Sequence, residues 1–358
     1  MIWVLTGVCV IAGLYQVAAF AACLRHKLYR APSSETLPPV SILKPVRGVT
    51  PDVLRAIQTH LDQNYPDFEL LLGVREDEVG ALHITDPRAR VVVCRSIRPN
   101  RKVGSLVDLQ REARHQLLIV NDADIAVPRS YIQDIVAELA RRNVGLVSCV
   151  YRARSATPPG RFEALGVATD FAPSALVAPF AGVSEFGLGS TLAFHRSDLE
   201  KIGGFEALSN YLADDYQLGC KLHSLGRRNV MAKPVVETIL SPASWLAAWQ
   251  HQVRWARTVR LSRPGGYAGL PVTFATLWAL AEAAAGLPWV AVTLIAARMI
   301  MAVTAGYVVL GSADVLRLFW LIPIRDLYAV AVWTAALFGN HVEWGGETLK
   351  LDSEGRIV

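Results

Sequence analysis

The stretch that decides the fold is Leu117-Leu118-Ile119-Val120-Asn121-Asp122-Ala123-Asp124, four consecutive apolar residues running straight into two carboxylates. An unbroken apolar run of this length suits a strand buried on both faces, as happens in a parallel sheet sandwiched between helices. Similar runs recur on either side of it. Val40-Ser41-Ile42-Leu43, Glu69 to Val74 and Val91 to Cys94 read as strands, separated by helix-patterned stretches from Pro51 to Asn64 and Val103 to Arg114. The alternation predicts an α/β domain with a mainly parallel sheet. Such sheets bind ligands beyond the carboxyl ends of their strands, so Asp122 and Asp124 point into the expected crevice.

Outward from this domain the composition turns apolar. Of 358 residues 52% are hydrophobic and only 19% are charged, with a mean hydropathy of +0.31, which excludes a disordered chain and raises membrane attachment. The 36 basic and 31 acidic residues leave +5, too mild and dispersed for a nucleic-acid partner. Five scattered cysteines indicate neither a disulfide framework nor a zinc site. Ile2 to Leu24 carries no charge and is long enough to cross a bilayer. Arg25, Lys27 and Arg30 follow it and favour the cytoplasmic side, so the α/β domain after it is expected in the cytoplasm of a multi-pass membrane protein. Leu270 to Leu280, Leu287 to Leu310 and Val315 to Phe338 predict two to three further membrane helices, with Arg298, Arg325 and Asp326 facing protein or water. The expected order is a membrane helix over 1–25, a linker over 26–39, the α/β domain over 40–243, an interfacial helix over 244–264, membrane helices over 265–339 and a polar tail over 340–358.

Three groups of residues have chemical potential. Asp122-Ala123-Asp124 offers hard oxygen ligands to a divalent cation that keeps phosphate oxygens in its shell, although an ordinary aspartate-capped turn has the same sequence. Asp214-Asp215 precedes a helical stretch; one of the pair caps it or, raised in pKa by its neighbour, serves as a general base. His251-Gln252-Val253-Arg254-Trp255 pairs an arginine suited to a diphosphate with a stacking indole, and reads equally as an interfacial aromatic-basic helix.

Taken in order, Val40 to Gly48, Asn64-Tyr65-Pro66, Asn100-Arg101-Lys102-Val103, Asp122 to Ile125, Gly203-Gly204-Phe205, Asp214-Asp215-Tyr216 and Arg254-Trp255 resemble the membrane-bound glycosyltransferases of family 21, the ceramide glucosyltransferase group, close to bacterial hopanoid-associated relatives. The resemblance implies a GT-A (Rossmann-like) catalytic domain, a UDP-sugar donor, Mg2+ or Mn2+ held by Asp122 and Asp124, and a membrane-lipid acceptor. It assigns Glu76 and Asp77 to the uracil end of the donor, Lys102, Asp122, Asp124, Arg254 and Trp255 to the rest of it, and Asp215 to the general base, with Asp214 as second candidate. It places Gly189, Ser190 and Thr191 on the acceptor side, together with Trp255. Glu76 stands where the family usually has aspartate, and His251 where it has glutamine or arginine. The segment Thr169 to Pro173 lacks the His-Pro pair of eukaryotic ceramide enzymes.

The function this implies is inverting transfer of a sugar from a UDP-sugar to a lipid hydroxyl. The alternatives are transfer of N-acetylglucosamine to bacteriohopanetetrol, or glycosylation of diacylglycerol. A processive polysaccharide synthase and an inactive membrane scaffold stand behind these.

Overall fold

The computed structural model describes residues 2–34 and 36–358. Seven strands, β1 (Val40–Pro45), β2 (Phe68–Val74), β3 (Ala89–Val93), β4 (Leu117–Val120), β5 (Val144–Arg154), β6 (Leu192–His195) and β7 (Arg228–Ile239), form one mixed sheet in the order β3-β2-β1-β4-β6-β5-β7. Pairing is parallel from β3 through β4, and β6 runs antiparallel to β4 and to β5. The register sets Leu43 opposite both Leu71 and Val120, so β4 ends two residues before the end of β1 and three before the end of β2.

Alternation explains why β4 is apolar throughout. Leu117 and Ile119 enter one core with the Pro51–Leu61 and Tyr131–Leu139 helices, while Leu118 and Val120 enter the opposite core with the Arg101–Glu112 and Asp214–Ser224 helices. Burying each such side chain contributes about 1.5–3 kcal/mol. The covering helices start where their sequences dictate. Thr50 accepts from the Val53 N–H with Pro51 at the first turn, and Asn100 accepts from the Val103 N–H.

The chain forms two compact units. One comprises 30–151, 183–239 and 356–358 and holds the sheet; the other comprises residues 2–29, 152–182 and 240–355. The sequence reading assigned 152–182 to the α/β domain, whereas these residues cluster with the apolar helices. The reason is visible in Pro158–Ala181, which joins Trp3–Leu28, Pro288–Val309 and Phe319–Ala336 as helical segments long and apolar enough to cross a membrane. Charged residues and prolines interrupt this segment and hide it from a reading by composition. The expected tail over 340–358 contains a hairpin, His341–Trp344 with Glu347–Lys350, turned through Gly345 and Gly346, both at positive φ. Its last residues return to the α/β unit, where the Ile357 N–H donates to the Asn210 carbonyl at 2.7 Å. All five cysteines are free.

Candidate active site

The carboxyl ends of the parallel strands and two loops bring Lys102, Asp122, Gly189, Asp214 and Asp215 together. Lys102, in the first turn of its helix, places Nζ 2.9 Å from Asp122 Oδ1 and 3.0 Å from Asp214 Oδ2. Burial alone would lower the pKa of this ammonium, but Asp122, Asp214 and Asp215 together hold it above its ordinary value. Lys102 is therefore a fixed positive charge among three carboxylates. Asp214 is buried and also meets Asn100 Nδ2 at 3.4 Å.

Asp215 differs from its neighbour. Its Oδ2 accepts from the Gly189 N–H at 2.9 Å and its Oδ1 from the Tyr216 N–H at 2.8 Å, and its side chain is half-buried. Burial and the adjacent Asp214 charge push its carboxyl up to about 6, against the opposing pull of Lys102. The positive end of the Asp214–Ser224 helix also opposes the rise. Gly189 sits close to both carboxylates: a Cβ there would lie 3.0 Å from Asp122 Oδ2 and 3.2 Å from Asp215 Oδ2, tight enough to shift them. Ser190 and Thr191, expected on the acceptor side, are buried. Ser190 Oγ donates to the Cys149 carbonyl, and Thr191 Oγ1 accepts from Tyr131 OH at 3.0 Å.

Asp124 bonds closely to Thr238 Oγ1. Burial, together with the Asp122 charge, holds its carboxyl above the usual range despite that bond. Asp122 retains 43% exposure. Among the described residues no three His, Cys, Asp or Glu side chains gather to enclose a metal ion. Asp122 and Asp124 fit a hard divalent cation that takes one or two carboxylates and completes its shell with water and diphosphate oxygens.

Glu76 and Asp77 lie on a short 3-10 turn, Glu76–Ala81, just after β2. With Arg75, Cys94 and Arg95 they line an open cavity of about 580 Å³. Both acids are exposed and loosely paired, Asp77 with Arg75 at 3.2 Å and Glu76 with Arg95 at 3.7 Å. Arg254 and Trp255 belong to the other unit, on the Trp245–Ser262 helix that Ser244 caps, and the Trp255 ring lies 4.4 Å from that of His251.

Several supporting residues escaped the sequence reading. Lys44, fully buried at the end of β1, donates from Nζ to the Asp122 and Ile125 carbonyls at 2.8 and 3.0 Å and so fixes the acidic loop. Burial pushes its ammonium down to about 7, against the Asp124 and Asp122 charges. Asn121 ties the same loop to Tyr131 OH at 3.0 Å and to the Ser190 carbonyl at 2.6 Å. A lysine closing an apolar strand was the available signal for Lys44. Thr238, remote in sequence from Asp124, had none.

The fold is that of a GT-A glycosyltransferase. The mannosyltransferase PcManGT from Pyrobaculum calidifontis, solved in complex with GDP-Man and Mn2+, superposes with a TM-score of 0.54 over 92% of this chain and 97% of that one, at 22% identity. The family model described as glycosyl transferase family 21 matches residues 3–357, and the chain belongs to that family. Ceramide glucosyltransferase 1 of Caenorhabditis elegans is 24% identical over 265 residues, which are 68% of this chain and 56% of that protein. Ceramide glucosyltransferase 3 of the same organism is 21% identical over 232 residues, 58% and 47% of the two. The chain thus spans about half the length of the curated relatives it matches.

Proposed function

We propose that the protein is an inverting glycosyltransferase that moves a sugar from a UDP-sugar to a hydroxyl of a membrane lipid, in the manner of a ceramide glucosyltransferase. The observation that carries this reading is Asp215, a carboxylate with two backbone N–H groups fixing its oxygens, one of them from the closely approaching Gly189, and raised into the range where a general base works. In the reaction, Asp215 takes the proton of the acceptor hydroxyl. The acceptor oxygen bonds to the anomeric carbon from the face opposite the nucleotide, and the bond from that carbon to the diphosphate oxygen breaks with its electron pair leaving on UDP. Lys102 stabilises the charge that develops on the leaving diphosphate. Asp122 and Asp124 would hold a divalent cation, which would supply further positive charge to the leaving diphosphate. Glu76 and Asp77 take the uracil end, and Arg254 and Trp255 keep the donor-side roles implied by the family resemblance.

The lipid acceptor rests on the ceramide enzymes among the relatives and on the four segments able to cross a membrane. Arg25, Lys27 and Arg30 support a cytoplasmic α/β unit. The test uses membranes containing wild type or Asp215→Asn, given UDP-glucose or UDP-N-acetylglucosamine with ceramide, diacylglycerol or a polyhydroxylated hopanoid. Mass spectrometry should find a new glycolipid with the wild type alone. No product from any pair, with UDP failing to bind as well, would overturn the enzyme reading in favour of a scaffold.

A further inference from the structure

The segment 356–358 takes no part in the proposed chemistry, yet it lies against the loop that leads into the paired aspartates. Arg356, Ile357 and Val358 belong to the α/β unit, although the residues just before them do not. Backbone and side-chain contacts hold them there. Tyr211 and Arg356 form an antiparallel bridge, and the Ile357 N–H donates to the Asn210 carbonyl at 2.7 Å. The Arg356 guanidinium also covers the Tyr211 ring, 5.5 Å from its centre, while Nε donates to the Tyr211 hydroxyl at 3.1 Å.

The same loop holds the start of the lysine helix. The Asn100 N–H donates to the Ser209 carbonyl at 2.9 Å, and Asn100 Nδ2 donates to the Tyr211 carbonyl at 2.8 Å. Asn100 is fully buried, and its Oδ1 is the cap that accepts from the Val103 N–H at 3.1 Å. Lys102 stands two residues past this cap, with Nζ bonded to both Asp122 and Asp214. A side chain in the first turn follows the backbone that the cap fixes, so where the helix begins decides where the ammonium stands. Asp214 itself meets Asn100 Nδ2 at 3.4 Å.

We infer that Arg356 and Ile357 are positioning residues for the proposed transfer: they pin Asn210 and Tyr211, and through Asn100 they set the start of the helix that aims Lys102 at Asp122 and Asp214. The inference rests on the reaction proposed above. Each link is a direct bond between named atoms, from Ile357 and Arg356 to the loop, from the loop to Asn100, and from Asn100 to the helix. Arg356 and Val358 are exposed and the segment lies outside both cores of the sheet, so its removal acts on the loop and leaves the sheet standing. An ammonium displaced by about 1 Å stabilises a leaving diphosphate less, whereas the groups assigned to the uracil end are untouched. Turnover should therefore suffer more than donor affinity.

The test compares the purified full chain with a form lacking residues 356–358 and with Arg356→Ala. Hydrogen–deuterium exchange is measured first, without substrates. The deletion should speed exchange at least about fivefold in peptides covering 98–106 and 207–217 and leave β4 unchanged. Turnover is measured second, with the donor and lipid that the wild type uses. The deletion should lower kcat about tenfold with the donor KM within about twofold of wild type. Arg356→Ala should lower kcat about threefold, and Arg356→Lys, which keeps a cation over the Tyr211 ring, should recover part of that loss. The inference is overturned if exchange in the two peptides does not change, if it rises throughout the sheet, or if kcat stays at the wild-type value once the loop has loosened. The two failures are distinguishable: a wild type that transfers no sugar overturns the reaction, whereas unchanged exchange overturns the positioning role even in an active enzyme.

Discussion

At the scale of the residue, two adjacent aspartates have opposite surroundings. Asp214 is buried against Lys102, and Asp215 meets only backbone N–H donors on a half-buried carboxylate. Replacing Asp215 with Asn should lower turnover by about 10²–10⁴-fold with the nucleotide affinity little changed, measured on purified enzyme at saturating donor. The wild-type rate should also fall as pH drops through about 6, because protonating the raised Asp215 carboxyl removes the base. The stability sign is the reverse. The folded state holds this proton more tightly than the unfolded chain, so the group favours the fold at acid pH and costs stability once pH rises through about 6. Gly189→Ala should cut transfer by up to about a hundredfold, since its methyl would crowd Asp122 and Asp215 at once. The sequence singled out this pair of aspartates, Lys102 and Gly189 as candidates, and the family resemblance put Asp215 ahead of Asp214 as base; the contacts that separate the two were not legible in it. Neighbours in a chain are indistinguishable until a helix start turns one towards a lysine and the other towards a loop.

At the scale of the element, the Asp214–Ser224 helix and the loop before β6 depend on one close approach. A Cβ on Gly219 would sit 2.4 Å from the Gly187 nitrogen and 2.5 Å from the Phe186 carbonyl carbon. Gly219→Ala should therefore cost about 1–3 kcal/mol of overpacking, seen as a lower melting temperature, and should also slow transfer because the displaced loop carries the N–H that orients Asp215. A glycine in the middle of a helical pattern carried that message only weakly. β1, β2 and β4 were legible because each is a largely apolar run with a core on both faces, and β4 spans Leu117–Val120 as its composition demanded. β6 and β7 were not, since an antiparallel strand joined through long excursions leaves no regular spacing in the sequence. The Pro158–Ala181 segment was missed for a different reason: Arg161, Glu163 and Asp170 break its apolar run, and the burial of Glu163 with the half-burial of the other two is a tertiary fact.

At the scale of the whole molecule, the donor chemistry makes a prediction that needs no acceptor. UDP with Mn2+ should raise the melting temperature of the wild type, chelation by EDTA should abolish the rise, and Asp124→Ala should show none; an unchanged rise in the variant would remove Asp124 from the metal role. A reporter inserted after Arg30 should be found in the cytosol. The connectivity has its own consequence for biosynthesis. The chain passes between its two units five times, after Tyr29, Tyr151, Gly182, Ile239 and Gly355. On the ribosome, β4 emerges well before its antiparallel neighbour β6, with Pro158–Ala181 in between. At about 5–20 residues per second the nascent sheet stays open along one edge for several seconds while an apolar segment seeks its place. An open edge is a template for wrong pairing, so yield during expression should depend on how quickly that segment is handed to the insertion machinery, and slowing translation between β4 and β6 should increase aggregation.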